Sequence, residues 1–120
     1  MTPADAIAAQ YQSLTHALQS RDPIAVRTIV SDQQWVASTL GRLGPFAEVA
    51  VEIDVGSVKV HGTRAEVTAH YSIDGVPKTA PGVAPQVSHT ATDVVDVWIF
   101  DGKAWRLSNE QESVETQITN

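Results

Sequence analysis

The chain contains no cysteine. Disulfides and thiolate metal sites are therefore excluded, and stability must come from packing. The same absence fits a cytoplasmic protein. Basic residues are scarce: eight Lys and Arg face fourteen Asp and Glu, for a net charge of −6. No basic run occurs, so nucleic acid and anionic membrane surfaces are not expected partners. No apolar run approaches the roughly 20 residues that a membrane helix requires. The first residues lead straight into a helical pattern, without the charged start, apolar stretch and cleavage site of a signal peptide. No glycine-rich phosphate loop follows a strand, and no G-x-S-x-G elbow is present. The four histidines, His16, His61, His70 and His89, show neither H-x-H nor H-E-x-x-H spacing. No metal and no cofactor is expected from such a pattern.

What is present is the balance of a globular domain. The 120 residues are 42% apolar and 18% charged, enough for one core. Ile7, Tyr11, Leu14 and Leu18 recur at steps of four, three and four, which predicts an amphipathic helix. Thr2-Pro3 is its N-cap and N1 pair, and Asp5 suits the first turn. It should stop near Ser20. Asp22-Pro23 starts a second helix, with Ile24, Val26, Ile29 and Val30 as its buried side and Ser31-Asp32 as its end. Trp35 and Val36 then begin a short extended piece, and Gly41, Gly44 and Pro45 mark an irregular turn.

Strands follow. Val49, Val51, Ile53 and Val55 alternate with polar residues. Past Gly56 the apolar phase slips to Val58 and Val60, which predicts a bulge. His61-Gly62 is a turn. Ala65 to Ile73 alternates again, and Asp74 to His89 reads as a long proline-rich loop. His89 to Phe100 is the longest strand, Asp101-Gly102 the strongest hairpin signal, and Trp105 to Ile118 the last strand. Helices followed by an antiparallel meander make an α+β fold. The strand from His89 is apolar on both sides: Val94, Trp98 and Phe100 on one, Val95, Val97 and Ile99 on the other. A partner subunit is the simplest cover for the second side, so a homodimer through the sheet is expected.

The amphipathic first helix, the D-P-initiated second one, "VSDQQWV" (residues 30–36) and the closing "DVWIFDGKAWRL" (residues 96–107) resemble the nuclear transport factor 2-like superfamily. The nearest branch is the SnoaL-like and ketosteroid-isomerase-like one, and the resemblance spans 1–120 as a single domain. It implies a cone: a curved antiparallel sheet packed on N-terminal helices, a cystatin-like roll with a pocket at the wide end. Members include isomerases, cyclases, dehydratases and proteins with no chemistry, so fold does not fix function. The steroid isomerases of the superfamily use a helix tyrosine, a late-strand aspartic acid and a proton-moving aspartate. The matching positions here are Leu14, Asp96 and Ser38. One of the three survives, which argues against that mechanism in that form.

Asp96 is thus the candidate catalytic group. Facing a pocket with Val94 and Trp98, it would be favoured as the neutral acid and could donate to a ligand carbonyl. The bland alternative sets it near a sheet edge or dimer surface, paired with Lys, Arg or a backbone group. Tyr11, Leu14, Trp35, Trp98, Asn109 and Gln111 are the candidate ligand contacts. Tyr11, one turn from Leu14, could replace the missing tyrosine, or be a core residue with a wet tip. His70 or His89 could meet an Asp on folding. The expected function is binding of a small hydrophobic molecule, with isomerase, cyclase or dehydratase chemistry on a carbonyl compound. The alternative is a non-catalytic dimeric module whose pocket is filled by its own side chains.

Overall fold

The computed structural model describes residues 2–79, 81–84 and 86–119, and for 109–119 the backbone alone. Three helices precede four strands: α1 Pro3–Ser20, α2 Pro23–Ile29, α3 Gln33–Leu43, then β1 Phe46–His61, β2 Arg64–Pro77, β3 Ser88–Phe100 and β4 Trp105–Thr119. The strands pair in sequence order as one antiparallel meander, strongly curled into a half-barrel around the helices. The architecture is the expected α+β one.

Local chemistry sets the helix boundaries. The Thr2 hydroxyl accepts from the Asp5 amide at 3.2 Å, and Asp22 Oδ1 accepts from the amides of Ile24 and Ala25. Each cap satisfies amide donors that the first helical turn leaves open. Helix α1 buries Ile7, Tyr11, Leu14 and Leu18 as the spacing predicts, with Ala17 beside them. It ends at Arg21, which adopts the left-handed conformation (φ 52°, ψ 43°). The Arg21 guanidinium donates to the carbonyls of Leu43, Phe46 and Ala47. It thereby ties the end of α1 to the junction between α3 and β1.

The region after Ser31 differs from expectation. Trp35 and Val36 lie in a helix, not an extended piece, and Gly41 belongs to that helix too. Asp32 does not end α2; its Oδ1 accepts from the Gln34 and Trp35 amides and starts α3. Ile24 also departs from the buried side of α2, being 73% exposed, while Val26, Ile29 and Val30 are buried. At 100° per residue, positions 24 and 26 point in nearly opposite directions and cannot share a face.

The sheet keeps the predicted phases. On β2, Ala65, Val67, Ala69 and Tyr71 face the helices; on β3, Val94, Asp96 and Trp98 do. Between Val55 and Val58 the pairing of β1 with β2 skips one residue. That bulge carries the apolar phase from odd to even positions. Strand β2 runs further than the sequence suggested, to Pro77, because Gly75 pairs with both Val49 and Ser88. The loop therefore spans 78–87, with Pro77 at a strand end where its missing N–H is tolerated. Asp101 Oδ1 accepts from the Lys103 and Ala104 amides in the β3–β4 turn, with Gly102 at φ 97°. The Ala104 amide, and then that of Lys103, hold the Asp101 carboxyl below its ordinary pKa.

Candidate functional site

The interior between α1 and the sheet centres on a carboxylate. Asp96 is 0% exposed, and the strands on either side of it are paired, so it is not at a sheet edge. The Tyr11 hydroxyl donates to Asp96 Oδ2 at 2.6 Å, and the Tyr71 hydroxyl donates to the same oxygen at 2.8 Å. The Trp98 indole N–H donates to the Tyr11 oxygen at 2.9 Å. An indole nitrogen only donates, so the tyrosine's own hydrogen is directed at the carboxylate. The Tyr11 and Trp98 rings meet edge-on, with centroids 4.9 Å apart.

Each member has a structural reason for its position. Tyr11 belongs to the inward stripe of α1. Asp96 and Trp98 are alternate residues of β3, and Tyr71 lies on the inner side of neighbouring β2. Tyr71 pairs with Thr92, two inward positions from Asp96. Small Ala69 and Val94 occupy the intervening rung. Burial opposes the charge on Asp96, and the two hydroxyl donors favour it. The two effects act on the same group.

Tyr71 also lines a small cavity between α1, α3 and the sheet, about 40 Å³, with Leu18, Ile73, Trp35, Thr39, Arg42, Thr90 and Thr92. Along β3 the inward residues change from Trp98, Asp96 and Val94 to Thr92 and Thr90, from a largely apolar interior to a hydroxyl-bearing rim. Trp35, Thr39 and Arg42 lie at i, i+4 and i+7 on α3, which makes one helix face. Among the described residues, Asp96 and Thr39 are the buried side chains of charged or hydroxyl type outside the tyrosines.

The candidates from the sequence separate into groups. Tyr11, Asp96 and Trp98 bond to one another. Trp35 lies apart from them on the cavity, and Leu14 is core. Ser38 is exposed. The side chains of Asn109 and Gln111 lie outside the described residues. On the outer side of the sheet, His70 Nδ1 bonds Asp93 at 2.6 Å, and His89 bonds Asp74. Among the described residues no cluster of three His, Asp or Glu side chains is placed to hold a metal. Sequence reasoning passed over Tyr71, Thr39 and Arg42. The 35/39/42 spacing was the available signal for two of them.

A curled four-strand sheet closing over N-terminal helices is shared by solved structures that align along nearly the whole chain. A protein from Salmonella enterica named as a nuclear transport factor 2 (NTF2-like) superfamily member superposes with a TM-score of 0.69 at 14% identity, over 92% of this chain and 89% of its own. The fold is NTF2-like. A candidate dehydratase of the NTF2-like family from Streptomyces avermitilis gives a TM-score of 0.75 at 13% identity, covering 92% and 94% of the two chains. A LinA-type hexachlorocyclohexane dehydrochlorinase from Novosphingobium barchaimii gives 0.68 at 10% identity, covering 96% and 89%. No family profile and no curated protein matches the sequence. At these identities the NTF2-like likeness is one of fold. No described helix is long and apolar enough to cross a membrane.

Proposed function

We propose that this NTF2-like domain binds a small carbonyl compound at the Tyr71–Asp96 end of its interior, reached through the small cavity that Tyr71 lines. The observation that carries the reading is a fully buried carboxylate whose Oδ2 accepts two tyrosine hydroxyls. Ionisable groups held this way cluster at functional sites. The Tyr71 hydroxyl, turned from Asp96 to a ligand oxygen, would polarise the carbonyl, and Asp96 would hold or give the proton. Proton transfer, cyclisation and hydration–dehydration all suit such a pair. The names of two fold neighbours, a candidate dehydratase and a dehydrochlorinase, lend weight to an elimination. The positions matching the steroid isomerase tyrosine and base are a leucine and an exposed serine. That mechanism is not proposed.

The test is thermal unfolding with small neutral ketones, acetone and butanone, at tens of millimolar concentration. A ligand that binds only the folded chain must raise Tm. The expected result is a rise in the wild type that Tyr71→Phe largely abolishes. No rise with any ketone would favour the second reading, a non-catalytic module with a filled interior. The specific observation behind that reading is the free volume of only about 40 Å³.

A homodimer through the outer side of the sheet belongs to the same proposal. Val95, Val97 and Ile99 alternate with the inward residues of β3; in the single chain Val97 is already buried and the other two are half-buried, so a partner would complete a cover that is partly in place. Sedimentation equilibrium is expected to give twice the chain mass of 12.9 kDa. A monomer mass at tens of micromolar would remove the dimer.

A further inference from the structure

We infer that the small cavity between α1, α3 and the sheet is a carboxylate pocket, in which Arg42 and Thr39 hold the acid group of a small organic acid. This rests on the reading that the interior admits a small molecule, and it names the class of that molecule.

The chemistry of the lining points there. Thr39 is only 4% exposed, lines the cavity, and its hydroxyl makes no hydrogen bond among the described residues. The hydroxyl oxygen is not itself fully buried, and it can donate to a ligand acceptor. Arg42 lines the same cavity from the exposed side of α3 and enters no ion pair among the described residues. Arginine is a permanent cation whose planar fork matches a carboxylate with two parallel bonds. Thr90 and Thr92 add hydroxyls from the sheet side, and none of the described lining residues is acidic. The lining is therefore rich in donors and carries positive charge, which selects an anion over an amine. Size narrows the class further. Pockets for drug-sized ligands run to about 300–1,000 Å³, and this one, at about 40 Å³, suits a carboxylate with a short carbon stub. The ring of Trp35 and the side chains of Leu18 and Ile73 supply the apolar walls for that stub. A small oxo acid would place its carboxylate at Arg42 and its carbonyl toward Tyr71.

The test uses propionate and its neutral isostere propionamide, titrated calorimetrically at constant ionic strength with chloride as the balancing anion. Propionate is expected to bind at least tenfold more tightly than propionamide. Arg42→Gln should weaken propionate at least tenfold, and Thr39→Val severalfold, with both variants keeping wild-type circular dichroism. Equal binding of acid and amide, or propionate binding that Arg42→Gln leaves unchanged, would overturn the pocket. If the ketones of the preceding test bind through Tyr71 while propionate does not, the carboxylate pocket falls and the carbonyl site stands. If propionate binds through Arg42 and no ketone does, the pocket stands without the carbonyl site. Should neither ligand class bind, both fall.

Discussion

Asp96→Ala is expected to lower the unfolding free energy by about 3–5 kcal/mol, counting one lost acceptor for each of two buried hydroxyls at about 1–3 kcal/mol apiece and a small cavity. Tyr11 and Tyr71 share Oδ2 of this residue, and alanine offers them nothing in its place. Asp96→Asn keeps an acceptor oxygen of the same reach and shape. It should cost far less, about 1 kcal/mol, since a neutral hydrogen bond replaces a charge-assisted one. Urea unfolding of the two variants gives the comparison directly. Equal losses for alanine and asparagine would mean that the shared oxygen is not what the interior depends on.

Gly75→Ala is expected to destabilise by about 2 kcal/mol, the usual scale for forcing an extra carbon into a packed place. A Cβ there would lie 2.5 Å from Cδ1 of Phe46 and 2.7 Å from its Cγ, well inside contact distance. The ring of Phe46 covers the glycine where β1 begins, and Gly75 itself pairs on both sides, with Val49 and Ser88. The sign should invert once the ring is gone. In a Phe46→Ala background, Gly75→Ala meets no ring, and the reduced freedom of the unfolded chain should stabilise by about 0.4–1 kcal/mol. A double-mutant cycle therefore predicts a coupling of about 2–3 kcal/mol between the two sites. Simple additivity would show that the ring yields without cost.

Much of this fold can be read from residue order alone, and the exceptions have physical causes. The stripe of α1 and its Thr2-Pro3 start are legible because cap and periodicity agree. Helix α3 is hidden because Asp32 is the kind of residue found both where one helix stops and where the next begins. Glycines 41 and 44 then suggest a turn, although Trp35, Val36, Thr39 and Leu43 carry helical spacing. The inward direction of Asp96 follows from strict alternation along β3. Its partnership with Tyr71 does not, because that hydroxyl crosses an intervening rung of the sheet, a matter of curvature that no spacing encodes. Thr39 and Arg42 disappear along with the helix that presents them.

The extra residue between Val55 and Val58 has a consequence for how reliably the first strand finds its place. Before it, the odd-numbered valines point to the helices; after it, the even-numbered ones do. Sliding the strand by one position along its neighbour would turn Val49, Val51 and Ile53 to solvent at one end, and Val58 at the other. A one-residue slip satisfies neither half, and a longer one would set the extra residue opposite a position other than Thr68. Deleting Ser57 would let a plain alternation run through, at the cost of throwing one half of the strand inside out.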